Sequence, residues 1–133
     1  MGFHEKWIQL IMKCITTVSY SVIINGAVHG SIFPTRGLRQ GDPLSPYLFL
    51  LCADGFSSLI NQAARNQMLS GISICRGGPM VTHLFFADDS LLFCKASEQE
   101  CHKLIEILEL YEVASGQKVN AEKSSIFFSH NTP

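Results

Sequence analysis

The stretch from Val81 to Cys94 constrains this chain more than any other. It reads Val-Thr-His-Leu-Phe-Phe-Ala-Asp-Asp-Ser-Leu-Leu-Phe-Cys, two apolar runs of strand length around a pair of adjacent carboxylates. Aromatic and aliphatic residues fit a pleated surface, and Ala87-Asp88-Asp89-Ser90 is short and polar enough to reverse the chain. The expectation is a β-hairpin with two acids at its tip. Aspartate is also an ordinary turn residue, able to bond its own backbone and to accept φ > 0. The flanks argue for more than a turn, because strands this apolar belong to a buried sheet and packed strands hold their tip rigidly. Two like charges side by side are better tolerated where a divalent cation neutralises them, and hard oxygen ligands suit Mg²⁺.

Composition narrows the setting. With 133 residues, 47% of them hydrophobic, the chain is long enough for one domain with a core. A net charge of −1 gives no global basic field of the kind that announces a free-standing nucleic-acid binder. The five cysteines (Cys14, Cys52, Cys75, Cys94 and Cys101) are odd in number and contain no C-x-x-C pair. They read as reduced core residues of an intracellular protein and not as a disulfide frame or zinc site. The start has no signal-peptide pattern, and Lys6 stands where a myristoylation motif needs Ser or Thr. The longest apolar run, around Tyr47 to Ala53, is too short to span a bilayer. A soluble intracellular protein is expected, with nucleus and cytoplasm both open.

Taken in order, Phe3, Trp7, Leu10, Ile11, Cys14 and Ile15 recur at helical spacing, with Trp7 as the expected core anchor. Thr16 to Ile24 is β-branched and aromatic, Asn25-Gly26 signals a hairpin, and the return strand runs from about Val28 to Phe33. Thr35 to Ser45 follows as a loop with glycines at 37 and 41 and arginines at 36 and 39. That pairing suits close approach to phosphate or a base pair, and equally an ordinary connector before a helix. Asp42 or Ser45 caps the next helix, whose apolar stripe is Leu48, Leu51, Cys52, Gly55, Phe56, Leu59, Ile60 and Ala63. Asp54 is assigned to its solvent face. Gly71 to Cys75 is a short strand candidate, and His83 is structural. After the central hairpin, Ser97 and Glu100 form a capping-box signature, with Cys101, Leu104, Ile105, Leu108 and Tyr111 as the core stripe and Gly116 as the stop. Ser125 to Ser129 reads as a final strand.

Three of these stretches carry a resemblance. Phe86-Ala87-Asp88-Asp89 looks like the metal-binding box of reverse transcriptases, in the form found in plant LINE-type (non-LTR) retrotransposons. Arg36-Gly37-Leu38-Arg39-Gln40-Gly41-Asp42-Pro43-Leu44-Ser45-Pro46-Tyr47-Leu48-Phe49 resembles the same family's preceding box, and Ser115 to Ser124 resembles the following one. The order and spacing match over nearly the whole chain. The resemblance implies an α+β fold, a mostly antiparallel sheet backed by helices, forming part of a polymerase palm. Residues 1–133 then make one partial reverse transcriptase domain. It also implies that Asp88 and Asp89 ligate Mg²⁺ or Mn²⁺ and carry the catalysis of nucleotidyl transfer. Arg36, Arg39, Gln40, Gly41, Phe86 and Ala87 would face nucleotide and template. Lys118 and Lys123, in the third box, would hold phosphate charge or protonate the leaving group, or else be solvated surface. RNA template, DNA primer and dNTP are the implied partners, with no membrane.

The family's first box, a strand with another metal-ligating Asp, precedes the Phe3 helix in the pattern and is not within these residues. Fingers, thumb and endonuclease are likewise outside them. Metal binding is therefore expected to be weak, the isolated chain inactive, and its uncovered edge prone to self-association. The alternative is a non-catalytic retrotransposon relic, silent or retained as a protein- or nucleic-acid-binding module.

Overall fold

A computed structural model describes residues 1–35, 37–130 and 132. The elements run α1 (Glu5–Thr16), β1 (Tyr20–Ile24), β2 (Ala27–Ile32), α2 (Ser45–Arg65), β3 (Ile72–Ser73), β4 (Met80–Val81), β5 (His83–Phe86), β6 (Asp89–Leu92) and α3 (Glu98–Ser115), then a 3₁₀ turn over Ala121–Lys123. The fold is α+β, and among the described residues every strand pairing is antiparallel. Among the described residues the antiparallel pairing is carried by three two-stranded ladders, β1–β2, β3–β4 and β5–β6. Two compact units divide the chain, Met1–Phe49 and Leu50–Pro133. Among the described residues no helix is long and apolar enough to cross a membrane.

In the first unit His4 caps α1, its Nδ1 accepting from the Lys6 amide at 3.2 Å. Trp7 is not a core anchor. It stacks on Phe3 with ring centroids 4.3 Å apart, and no residue of α1 is buried. The α1 helix forms where the apolar spacing predicts it, yet an apolar stripe becomes core only when another element covers it. Asn25 and Gly26 both take positive φ, the backbone that a tight two-residue hairpin turn requires. Register runs from Ile24 opposite Ala27 to Val22 opposite His29, then shifts so that Tyr20 meets Ile32. The extra residue lies on β2, where Gly30 at φ +66° supplies the bulge. Ahead of α2, Asp42 Oδ1 accepts the Leu44 amide at 2.8 Å, closing the turn. The first helical bond runs from the Leu48 amide to the Leu44 carbonyl, so Asp42 shapes the approach and Ser45 is already helical.

The second unit holds the core: Phe56, Ile60 and Ala63 of α2, Leu69 just beyond it, and Ile107 of α3. Phe56 is its centre, stacked on Phe85 of β5 at 5.2 Å and on Tyr111 of α3 at 4.4 Å. The α2 stripe and the exposure of Asp54 are as expected. On α3 the inward face differs from the expected one at two positions. Glu100, Leu104, Ile107, Leu108 and Tyr111 turn inward, while Cys101 and Ile105 are exposed. The helix is apolar on more than one face, so packing against Phe56 selects which face is buried.

Ser97 caps α3 as predicted, its hydroxyl accepting the Glu100 amide at 3.4 Å, and Gly116 closes the helix in the left-handed conformation. Glu100 does not reciprocate to the cap as a capping box would. Its Oε2 accepts the amides of Ser70 and Lys95, each at 3.0 Å, and its Oε1 accepts the Ser70 hydroxyl at 2.6 Å. One side chain thus ties the α2–β3 connection and the β6–α3 connection together. Gly71 sits in the first of these with φ +66°, and a Cβ there would meet the Val81 carbonyl oxygen at 2.6 Å. Only glycine fits that approach.

Two further expectations fail. Ser125–Ser129 forms no strand, and Ile126, Phe127 and Phe128 stand exposed. β propensity is a preference for a pleated, partly buried surface, and here no ladder receives the segment. The cysteines are not uniformly core residues either: Cys14, Cys75 and Cys101 are exposed and only Cys52 and Cys94 are half-buried.

Candidate functional site

The β5–β6 hairpin carries the acids. Its register pairs His83 with Leu92, Leu84 with Leu91, Phe85 with Ser90 and Phe86 with Asp89. The turn is therefore Ala87-Asp88 alone, tighter than the four polar residues suggested, and Asp89 opens β6 instead of sharing the tip. Ala87 holds φ +50° while Asp88 does not enter the left-handed region. Positive φ at only the first central position is the pattern for which two-residue hairpins normally use glycine. A Cβ-bearing residue there is strained, and such strain persists only where flanking structure imposes it.

The flanks do impose it. Alternation sends His83 and Phe85 toward α2 and leaves Leu84 and Phe86 outward. Phe85 is held by the Phe56 ring. His83 is held at both nitrogens, Nε2 pairing with Ser57 Oγ at 2.8 Å and Nδ1 with Thr82 Oγ1 at 2.9 Å. Burial pushes the His83 pKa down, which favours the neutral ring and makes this a structural clip between α2 and β5. Beyond β6 the Phe93 amide donates to the Thr82 carbonyl at 2.8 Å, extending the contact past the ladder.

At the tip the chemistry is exposed. Asp88 and Asp89 lie at the surface, and among the described residues neither carboxylate has a hydrogen-bond or ion-pair partner in the protein. Phe86, 82% exposed, stands opposite Asp89. Two adjacent carboxylates with all their lone pairs free suit one Mg²⁺ whose remaining positions go to water and substrate phosphate. Among the described residues no group of three or more His, Cys, Asp or Glu side chains forms a fuller cage.

The remaining predicted site residues fall elsewhere. Lys118 and Lys123 are exposed on the segment after α3, with no bond to the hairpin acids among the described residues. What orders that segment is a set of neighbours that the sequence did not single out. Glu112 Oε1 accepts the Val119 amide at 2.7 Å, Gln117 Oε1 accepts the Tyr111 hydroxyl at 2.7 Å, and Asn120 caps the turn bearing Lys123. Arg39, Gln40 and Gly41 belong to the first unit, and Arg36 lies outside the described residues. Arg39 places its guanidinium 5.8 Å from the centre of the Tyr20 ring, and its backbone is pinned where its carbonyl accepts the Ser45 hydroxyl at 3.0 Å. Beside this pair an open cleft of about 460 Å³ is lined by Tyr20, Pro34, Gly37 and Leu38 among others. Gly41, at φ +85°, permits the sharp turn into Asp42. Tyr20 was legible only as a strand aromatic, since its pairing with Arg39 spans a hairpin.

Comparison with known proteins follows the same line. The chain matches the family described as reverse transcriptase (RNA-dependent DNA polymerase) over residues 1–132. An uncharacterized mitochondrial protein of Arabidopsis thaliana is 40% identical over 84% of this chain and 90% of its own length. A retrovirus-related Pol polyprotein from the type-1 retrotransposable element R2 of Popillia japonica is 30% identical over 68% of this chain, but only 14% of that protein. A 149 kDa protein of transposon TX1 from Xenopus laevis is 26% identical over 93% of this chain and 9% of its own length. No solved structure matches significantly.

Proposed function

The chain belongs to the reverse transcriptase family, and from that premise we propose that residues 1–133 are a palm segment of an RNA-directed DNA polymerase acting in retrotransposition. Reverse transcriptases use divalent metal ions and work on a nucleic-acid template with dNTPs. The observation that carries the assignment is the rigid hairpin with unpartnered carboxylates at and beside its strained turn. Asp88 and Asp89 would hold the ion, which when bound stabilises negative charge on the oxygens of the reacting phosphate. The protein's own contribution is to hold that tip still through Phe85, His83 and the Phe56 stack. Arg39, Gln40 and Gly41 supply a positively charged, sharply turned loop suited to template or nucleotide, and Lys118 and Lys123 supply solvent-facing cations for phosphate.

Because the ligand set is small, binding is expected to be weak. Titrating Mn²⁺ into the folded chain should broaden NMR signals of Phe86 to Ser90 first. Equal broadening around the exposed Asp54, or none at the hairpin, rules out the metal assignment.

Self-association of the isolated chain is a second expected outcome. Leu84, Phe86 and Leu91 make the outer face of the hairpin apolar, and Ile126 and Phe127 are more than four-fifths exposed. Open strand edges beside apolar surface promote association. Sedimentation should show oligomers that grow with concentration, and a monodisperse monomer at high concentration contradicts this.

A second reading, a non-catalytic nucleic-acid-binding module, draws on the Arg39–Tyr20 pair. A half-buried aromatic with a cation over it offers single strands a stacking and charge platform without chemistry. On that reading Asp88→Ala leaves every measurable property of the chain toward nucleic acid unchanged.

A further inference from the structure

His83 joins β5 to α2 through both ring nitrogens, Nε2 to the Ser57 hydroxyl at 2.8 Å and Nδ1 to the Thr82 hydroxyl at 2.9 Å. A neutral imidazole has one N–H and one lone pair, so one of these hydroxyls donates to the ring and the other accepts from it. The remaining protons decide which. Thr82 is 9% exposed, and among the described residues its hydroxyl has only His83 Nδ1 to donate to. Ser57 is less enclosed, and its oxygen already accepts from Asn61 Nδ2 at 3.3 Å, so its own proton can turn to solvent. The arrangement that strands no buried proton has Thr82 donating to Nδ1 and Nε2–H donating to Ser57. Phe85, with ring centroids 4.7 Å apart, lies against the imidazole and continues into the Phe56 stack.

We propose that His83 is a pH-sensitive latch: neutral, with its proton on Nε2, it locks the β5–β6 hairpin to α2, and protonation at Nδ1 releases it. The incoming proton takes the lone pair that receives the Thr82 hydroxyl. Thr82 must then accept from Nδ1–H and turn its own proton into an enclosed site with no other acceptor among the described residues. The new charge also has no anion to pair with. On α2 the charged groups are Asp54, exposed one turn before Ser57, and Arg65, two turns beyond it. On the β6 side they are Asp89, at the far end of the ladder opposite Phe86, and Lys95. Glu100 of α3 is committed to Ser70 and Lys95. Among the described residues the ring's bonds go to Ser57 and Thr82 and to no charged group. Burial pushes the half-buried Cys94 and Tyr111 toward their neutral forms, so they supply no counter-charge. Burial of the ring itself accordingly holds His83 below the ordinary histidine value. With the folded value below the unfolded one, the latch's contribution is present in full above the unfolded value and is lost as pH falls through the folded one. Only the consequence for Asp88 and Asp89, which the hairpin carries, rests on the function proposed above.

The test uses the full 133-residue chain with no metal added, so a failed latch and a missing metal site give different results. NMR spectra of the imidazole nitrogens, recorded from about pH 8 to about pH 5, read the tautomer and titration of His83. Amide hydrogen exchange, normalised to the rate of unstructured peptide, reads the hairpin, with the Phe93 amide bonded to the Thr82 carbonyl as its nearest probe. The expected result is the Nε2–H tautomer at the alkaline end and titration of His83 below the value of the same ring in the urea-unfolded chain. Normalised exchange at Phe93 and along β5 and β6 should rise severalfold as the ring protonates. His83→Gln keeps a hydrogen-bonding side chain that does not titrate, and should lose that rise. The readings on the native chain need no variant and stand even where His83→Gln does not fold. An Nδ1–H tautomer, titration at or above the unfolded-chain value, hairpin exchange that stays flat while the ring protonates, or the same acid response in His83→Gln would each overturn the proposal.

Discussion

Expressed as residues 1–133 alone, the chain should leave a DNA primer on an RNA template unextended. Joined to a segment from a close relative that carries the family's first acid-bearing strand and fingers, it should extend the primer. In that reconstituted form Asp88→Ala should abolish extension, by about 10³-fold or more. The reason is electrostatic. On the proposed function, nucleotidyl transfer would take two cations roughly 3.5–4 Å apart around the reacting phosphate. The β5–β6 hairpin offers two adjacent carboxylates on one element, which on the proposed function would hold one ion weakly. The family pattern, as the resemblance implies it, shares the ions with a second strand that is not among these residues. Losing one preorganised charge-stabilising group typically costs about 10²–10³ in rate, and loss of the ions' protein ligand on this side removes more than one such contact. Asp89→Ala should cost less than Asp88→Ala, because Asp89 is already in the β6 ladder opposite Phe86 while Asp88 occupies the turn. Extension by the isolated chain that survives Asp88→Ala would show that the acids at this hairpin are not the centre.

Replacing Glu100 should destabilise the second unit more than any surface change, by about 3 kcal/mol for Glu100→Ala. Glu100 is 9% exposed, and its carboxylate accepts three hydrogen bonds, from the Ser70 hydroxyl and the Ser70 and Lys95 amides. Its removal leaves those donors in a half-buried site without acceptors, each worth about 1–3 kcal/mol when stranded and partly rescued by water. Burial by itself raises the Glu100 pKa, but the Ser70 and Lys95 hydrogen bonds and the Lys95 charge outweigh it, so the group titrates below the ordinary glutamate range. With the folded pKa below the unfolded one, the carboxylate's contribution is present in full above the unfolded value. It is lost as pH falls through the folded value. Urea midpoints measured from neutral pH into the acid range should therefore fall for the native chain and fall less steeply for Glu100→Gln. Parallel slopes for the two would mean that the clamp does not govern acid stability.

Some of this molecule was written in local sequence, and the physical reason is that local bonds are short-range in the chain. The Asn25-Gly26 turn, the Ser97 cap, the Gly116 stop and the apolar stripe of α2 each depend on residues within a turn or two of each other, and each stands where it was expected. The three boxes were legible for a different reason, as a pattern shared with reverse transcriptases, and family membership followed from them. Long-range packing decided the rest. Glu100 looked like half of a capping box because its partners Ser70 and Lys95 become neighbours only once α2, β6 and α3 are assembled. Ile107, not Ile105, is buried because Phe56 and Tyr111 choose the face of α3. Trp7 and the segment from Ile126 to Phe128 had the composition of core and strand, but composition only makes surface available for burial. Whether that surface is covered depends on what packs against it, and here the covering element is supplied for Phe85 and withheld from Phe127.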